Sequence, residues 1–468
     1  MLTSSYTPAL TACRTAVAVY PTIQRSVSDG GLVRQLMQSG ACNPDSLDRR
    51  GIEAFQRSKL GAMLRAVLPT NLFYQRKLGS ARFDADCEPL DRLPFTTRAE
   101  LELDQLQQPP YGTNLTYPRE RCVRLHQTSG STSAPLRWLD TRESWEWFKS
   151  CWKEIYRAAG VTSGDRLVFP FSFGPFIGFW GAFEAAAESG NFVLPAGGMT
   201  TSARLRYLLD NEATIVCCTP TYALHLAEVA HAESADLARS AVRALIVAGE
   251  PGGSIPGTRQ RIEAAWGGRV FDHCGMTEIG AYGFECAGAP GGMHVLETEF
   301  IAEVIDSQAG TPLSDGATGE LVLTNLGRWG SPLIRYRTGD QVRLIRRRCA
   351  CGRWFAWLEG GILGRVDDML LIRGNNVFPA AIEGILREFE AVAEFRLVAE
   401  RPQAMMELLV EVEPAAGHNT DSLAGRIAQR IQDRLHWRPR VALVPPGSLP
   451  RFELKARRVV HRDIEPAS

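Results

Sequence analysis

Between Asp140 and Phe271 short apolar runs alternate with amphipathic stretches, and no other feature of this sequence restricts the fold as tightly. The segments Arg166–Pro170, Asn191–Pro195, Ala213–Cys218, Val242–Val247 and Arg269–Phe271 read as strands. Phe176–Ser189, Thr201–Leu209, Pro220–His231 and Pro256–Trp266 have helical spacing. Strands alternating with helices of this length imply parallel sheet and α/β layering. Ligands in such sheets sit at loops beyond the carboxyl ends of the strands. Those loops are the places to look for chemistry.

The pattern changes after Phe300. Phe300–Asp306, Gly319–Thr324 and Gln341–Ile345 read as short strands of a mostly antiparallel β subdomain. Beyond Gly364 a compact α+β unit is expected: a strand at Met369–Ile372, a helix at Pro379–Phe389, strands near Ala393–Val398 and Met406–Val412, a helix at Asp421–Leu435 and a strand at Arg440–Val444. About 100 residues is an ordinary domain size. The 468 residues therefore divide into a large domain, 1–364, and a small one, 365–468.

Composition excludes several classes. Lys+Arg and Asp+Glu number 52 each, so no global charge favours nucleic acid or a membrane surface. Met1–Gln24 is mildly apolar and carries Arg14, unlike a signal peptide, and no window suits a membrane span. Most of the eleven cysteines, such as Cys217 and Cys218, lie in apolar runs and read as reduced core thiols of a cytoplasmic protein.

Five segments could carry chemistry. Gln127–Pro135 places small hydroxyl residues around Gly130, leaving backbone N–H groups open to phosphate oxygens, although alone it reads more readily as a plain turn. His273-Cys-Gly-Met-Thr-Glu278 sets a hydroxyl beside a carboxylate at a strand end, as a phosphate and its magnesium would need, or as a helix start would. Ile334-Arg-Tyr-Arg-Thr-Gly-Asp340 ends in an acid that could accept two ribose hydroxyls, or forms a hairpin turn. The fourth segment is Gly364-Arg-Val-Asp-Asp-Met-Leu-Leu-Ile-Arg-Gly-Asn-Asn-Val-Phe-Pro379, and the fifth, Gly447–Arg458, contains Lys455.

In this order and spacing the five resemble the adenylate-forming superfamily, and within it the phenylacetate–CoA ligase family. Ser172-Phe-Gly-Pro-Phe176, Ala248-Gly-Glu-Pro251 and Pro446–Glu453 add to the likeness, which covers roughly Leu93 to Arg462. The resemblance implies an α/β fold: a large N-terminal adenylate-forming domain with a small mobile C-terminal α+β domain. It implies that an acid is activated by ATP to an acyl-adenylate and passed to coenzyme A. Ser129, Gly130, Ser131 and Thr132, with Thr128, would hold the β- and γ-phosphates. Gly249, Glu250 and Pro251 would line the adenine, with His273 and Cys274 nearby. Thr277 would bind the α-phosphate and Glu278 the magnesium. Asp340 would hold the ribose, assisted by Arg365. Asp367 would be the hinge of the small domain, and Lys455 would contact both carboxylate and α-phosphate. Phe171, Phe173, Phe176 and Trp180 could wall the acyl pocket and suit a ring, or could equally be core.

Two departures stand out. The family's phosphate loop usually ends Gly-Lys-Pro, whereas this one ends Ser133-Ala134-Pro135. Cys274-Gly275 replaces a Tyr-Gly, removing an aromatic platform for adenine unless His273 or Tyr282 substitutes. The intact Glu278, Asp340, Asp367 and Lys455 weigh against a degenerate nucleotide binder, while an amine, a carrier-protein thiol or a phenol stands as an alternative acceptor. Cys286, His294, Cys349 and Cys351 form a candidate Cys3His zinc set, with Cys349-Ala-Cys351-Gly352 as its knuckle, or are equally unpaired thiols and a surface histidine. Some relatives carry metal there, and its role would be structural. Monomer and homodimer both stay open.

Overall fold

The computed structural model describes residues 47–79, 83–85, 88–128, 135–366, 368–372, 375–400, 406–452 and 456–462. The chain enters through helices α1 (Arg49–Val67), α2 (Leu72–Leu78) and α3 (Arg98–Gln107), then the hairpin β1 (Cys122–Gln127) and β2 (Arg137–Thr141). Helix α4 (Arg142–Ala158) leads into the expected alternation. It comprises β3 (Arg166–Phe169), α5 (Trp180–Glu188), β4 (Phe192–Pro195), α6 (Thr201–Asp210), β5 (Ile215–Cys218), α7 (Pro220–Ala232), β6 (Ala244–Ala248), α8 (Pro256–Trp266) and β7 (Arg269–Met276).

Local chemistry sets these boundaries. Thr219 caps α7 through the Tyr222 N–H, with Pro220 in the first turn. Helix α8 begins at Pro256 and stops at Gly267, whose φ of 66° suits a residue without a Cβ. The parallel strands are apolar on both faces. Leu167, Phe169, Ile215, Cys217, Ala244 and Ile246 face one core, and Val168, Val216, Cys218, Leu245 and Val247 face the other. Helices on both faces cover them, as parallel sheets require. Each fully buried aliphatic side chain contributes about 1.5–3 kcal/mol.

Strands β8 (Gly280–Cys286), β9 (Ala289–Val295), β10 (Phe300–Ile305), β11 (Thr318–Asn325), β12 (Tyr336–Ile345), β13 (Trp357–Glu359) and β14 (Gly364–Arg365) follow. The expected antiparallel strands are present, and they extend the parallel sheet. Among the described residues one twelve-stranded sheet runs β10-β11-β12-β13-β9-β8-β7-β6-β5-β3-β4, with β14 on β12. The C-terminal unit holds the hairpin β15 (Leu370–Ile372) and β16 (Asn375–Val377) and helix α9 (Pro379–Leu386). It continues through β17 (Val392–Glu400), β18 (Glu407–Pro414), α10 (Leu423–Leu435), β19 (Arg440–Leu443) and β20 (Val459–Arg462). Its sheet order is β19-β18-β17-β20, over a core of its own. Among the described residues no helix is long and apolar enough to cross a membrane.

The first ninety residues add little to the likeness read from the sequence, yet α1 is bolted to the large sheet by buried polar groups. Gln56 donates to the Glu297 and Phe300 carbonyls, at 3.0 and 2.8 Å. Lys59 reaches the Thr298 carbonyl at 2.9 Å and the Glu299 carboxylate at 2.6 Å. Both side chains of that ion pair are almost fully buried. Removing one partner strands the other charge in a dry site. Lys59→Met is therefore expected to cost about 3–5 kcal/mol in urea unfolding, against a change within about 0.5 kcal/mol for the exposed Arg50→Met.

Candidate active site

Strand β7 is longer than its apolar start suggests. It runs through His273, Cys274, Gly275 and Met276, which the sequence reading had placed in a loop. The loop proper is the turn at Thr277 and Glu278, before the antiparallel return in β8. His273 therefore points into the core. It packs on Trp152 with ring centroids 4.4 Å apart, and its Nδ1 lies 2.6 Å from the Gly283 carbonyl. Cys274 is buried as well.

The Glu278 carboxylate accepts a hydrogen bond from the Tyr336 hydroxyl at 3.0 Å. Burial, and next the Glu278 charge, push the Tyr336 phenol well above its ordinary range, so it stays a donor. Strand β12 then carries Asp340 four residues on. Its Thr338-Gly339-Asp340 stretch is a bulge inside a continuous strand: Glu320 pairs with Gln341 and Val322 with Arg337, and Gly339 has φ 73°. The alternative of a hairpin turn there is excluded. Bulges re-aim side chains, and this one directs Asp340 toward Arg365 and Tyr282. Arg365 Nη1 donates to Asp340 Oδ1 at 3.0 Å, and Tyr282 Oη donates to Oδ2 at 3.3 Å. Tyr282 is thus tied to the Asp340 carboxylate.

Gly249, with φ 96°, starts the loop beyond β6. Its neighbour Glu250 binds two backbone amides: Oε1 accepts from Thr221 N at 2.9 Å, at the start of α7, and Oε2 accepts from Ala456 N at 2.6 Å. The residue after Lys455 is thereby docked on the large domain. Arg458 extends the junction to Glu394 at 2.8 Å and to Thr221 Oγ1 at 3.2 Å. At the base of the first motif, Thr128 N donates to the Leu136 carbonyl, and Leu136 N donates to Thr128 Oγ1, both at 3.0 Å. Ser129, Gly130, Ser131, Thr132, Asp367 and Lys455 lie outside the described residues. The aromatic loop gathers as expected. Phe173 packs on Trp180 at 4.7 Å, and Phe171 sits 5.7 and 6.2 Å from Phe173 and Phe176.

A second cluster lies apart from these groups. The donor atoms of Cys286, His294, Cys349 and Cys351 all fall within 4.8 Å of one another. Cys286 and Cys349 sulfurs are 3.7 Å apart, and Cys351 Sγ is 3.5 Å from His294 Nε2. Thiolates about 2.3 Å from a tetrahedral zinc would sit about 3.8 Å apart. His294 Nδ1 lies 3.2 Å from the Phe355 carbonyl, which fixes the tautomer and turns Nε2 to the cluster. The far-apart halves meet because Trp357 in β13 pairs with His294 in β9.

Three groups were not singled out beforehand. Tyr336 lay in plain view inside the third motif. Trp152 and Arg328 had no motif to mark them.

The model for AMP-binding enzymes matches residues 55–327, and that for the AMP-binding enzyme C-terminal domain matches 374–462. The phenylacetate-coenzyme A ligase of Thermus thermophilus is 31% identical, over 89% of this chain and 98% of its own length. That of Escherichia coli is 30% identical, over 87% and 94%. Among solved structures, 2-hydroxyisobutyryl-CoA ligase in its postadenylation state with 2-HIB-AMP superposes with a TM-score of 0.82 at 29% identity, covering 88% of this chain and 89% of that one. The same ligase with 2-HIB-AMP and CoA, in the thioesterification state, gives 0.67 over 89% and 91%. The chain belongs to the AMP-binding enzyme family, as an AMP-forming acid–thiol ligase of the phenylacetate–CoA ligase kind.

Burial pushes the His273 imidazole down from 6.5 to about 4. The unfolded chain therefore binds more protons between those values, and stability falls as pH drops from 6.5 toward 4. Buried Asp272, pushed up to about 6, acts in the opposite sense. Because Asp272 remains in the variant, subtracting the unfolding profile of His273→Phe isolates the histidine. The parent-minus-variant difference should shrink by a few kcal/mol on acidification, at about 1.4 kcal/mol per pH unit, on top of a pH-independent cost for the lost Gly283 bond.

Proposed function

We propose that this chain adenylates a small aromatic carboxylic acid and transfers the acyl group to coenzyme A, with the site residues in the roles that follow. The observation carrying this reading is the docking of the Ala456–Arg458 segment on Glu250, beyond the same sheet end that holds the Thr277–Glu278 turn.

A carboxylate and ATP repel each other, and the site has to offset that repulsion. The Thr128–Thr132 loop holds the β- and γ-phosphates. Thr277 meets the α-phosphate. Glu278 Oε1 is taken by Tyr336, and among the described residues Oε2 has no partner, which fits a carboxylate that gives one oxygen to magnesium. Bound there, magnesium supplies charge neutralisation on the phosphates. Asp340 accepts the ribose hydroxyls while Arg365 and Tyr282 hold its orientation. Gly249, Glu250 and Pro251 form the adenine edge, and the Glu250 carboxylate also anchors the small domain. Lys455 bridges the acid and the α-phosphate and stabilises the charge that develops as pyrophosphate leaves.

The division at 364/365 separates two bodies that move about a hinge at Asp367, except that Arg365, paired in β14 with Asp340 of β12, stays with the large one. The better superposition on the postadenylation complex than on the thioesterification complex of one ligase supports this arrangement as the adenylation-side one. The Phe171, Phe173, Phe176 and Trp180 cluster supports a flat apolar acid, and the phenylacetate–CoA ligases among the relatives point the same way. Cys286, His294, Cys349 and Cys351 hold a structural zinc, since four protein donors fill a tetrahedron.

Pyrophosphate exchange over benzoates, phenylacetates and cinnamates should respond to a ring acid, with thioester forming when coenzyme A is added. Exchange with none of them would overturn the substrate reading, and exchange without thioester would move the acceptor to an amine, a phenol or a carrier protein. Lys455→Ala should abolish exchange and leave thioester formation from supplied acyl-adenylate largely intact. Protein purified without chelator should contain zinc near equimolar with the chain, and Cys349→Ser should lower both the metal content and the Tm.

A further inference from the structure

Arg328 is an arginine with no exposed surface, six residues ahead of Ile334, where the third motif begins. It sits after β11, between Gly327 and Trp329. Its guanidinium forms a two-pronged pair with Asp140, Nε to Oδ1 at 2.7 Å and Nη2 to Oδ2 at 2.6 Å. Its remaining prong, Nη1, donates to the backbone carbonyls of Thr277 at 2.5 Å and Glu278 at 3.1 Å. Trp138 and Phe148 flank the guanidinium, with ring centroids 5.7 and 5.8 Å from its central carbon.

The partners give this side chain its meaning. Asp140 lies on β2, the strand that leaves the phosphate loop, and pairs across the hairpin with Arg124 on β1. Buried His126, on the same β1, brings Nδ1 to 3.9 Å from Asp140 Oδ2. Thr277 and Glu278 form the turn after β7. One planar fork thus ties the hairpin that presents the loop to the turn that presents a hydroxyl and a carboxylate. Burying two charges is costly and is seldom the cheapest way to hold a core together. A planar guanidinium, however, sets direction as well as distance, which a lysine or an apolar contact does not. The pair is neutral overall, so what it supplies is geometry.

We propose that Arg328 is a positioning residue for the first half-reaction: it locks the Thr277–Glu278 turn to the base of the phosphate loop, so that both clasp one triphosphate in register. This rests on the reading of Thr277 and Glu278 given above. The acyl-adenylate has already lost pyrophosphate and needs no magnesium, so thioester formation is far less sensitive to that spacing. Misplacement by about 1 Å is worth about 100-fold in rate.

Two variants test it. Arg328→Lys keeps a cation beside Asp140 and loses the fork. Arg328→Gln with Asp140→Asn removes both charges together, so no charge is orphaned. In the full-length protein, each is expected to slow carboxylate-dependent pyrophosphate exchange about 100-fold and to raise the magnesium concentration for half-maximal exchange. Thioester formation from supplied acyl-adenylate should fall less than about tenfold, on the same misplacement argument. Equal losses in both half-reactions, or exchange and magnesium dependence like the parent's, would overturn the proposal. If the double variant fails to fold, Arg328→Lys decides alone. Glu278→Gln is run beside them. No loss there refutes the reading of the turn itself, whereas loss there with none in the Arg328 variants refutes only the positioning role.

Discussion

The central parallel strands β3, β5 and β6 are buried on both faces, and everything at the site depends on that. Successive residues of β3, β5 and β6 alternate between two dry cores, so Ile246 faces one and Val247 the other. A slip by one residue would exchange the two sets, pushing small and large side chains into the wrong layers. Strand ends are consequently fixed to within a residue. The pairing of Ala248 with His273 sets the Gly249–Pro251 loop next to the strand that ends at Met276, just before Thr277. Loops anchored this way need little internal structure of their own to converge.

The same two-sided burial explains what could be read in advance. A strand with no polar face is an unbroken apolar run, and the runs at Ala213–Cys218 and Val242–Val247 announced themselves. Strands β8 and β9 did not, because their glycines look like turns. Gly283 is there because any Cβ would meet the Cys274 sulfur at 2.1 Å, and Gly292 because it would meet the Trp357 ring at 2.5 Å. These are close approaches inside a sheet, which sequence punctuation renders as loop. Gly339 misled in the same way: it is a bulge, and the bulge aims Asp340. The motifs around Glu278 and Asp340 could be picked out since their residue patterns are local. Arg328 was invisible because its partners lie 188 and about 50 positions away in sequence, and only the folded sheet brings them together.

Long-range polar contacts of this sort recur where the chain departs from simple layering. Lys59 and Gln56 tie α1 to the turn before β10, and Arg335 clasps Glu303 and the Leu93 carbonyl, at 2.8 and 2.5 Å. Each replaces water around a buried backbone or carboxylate oxygen with a fixed donor, which rigidifies a joint that apolar packing alone would leave adjustable. The Cys286, His294, Cys349 and Cys351 side chains also meet across β8, β9 and the loop before β13.

The junction between the two domains is built on the opposite logic. Arg261 in α8 donates to the Val392 carbonyl at 2.8 Å and to the Phe389 carbonyl. Arg451 spans Glu228 of α7 at 3.2 Å and Glu413 of β18 at 2.6 Å. Glu250 and Arg458 complete the set. Gly257 allows the approach, since a Cβ there would lie 2.7 Å from the Arg387 carbonyl. Such contacts are directional and can be exchanged for water when the surfaces part, so they specify one docked orientation at modest net cost. A greasy seam of the same area would have held the domains together more firmly and specified their angle less well. A junction of this kind is precise while closed and easily hydrated once open, as the hinge motion proposed for this chain requires.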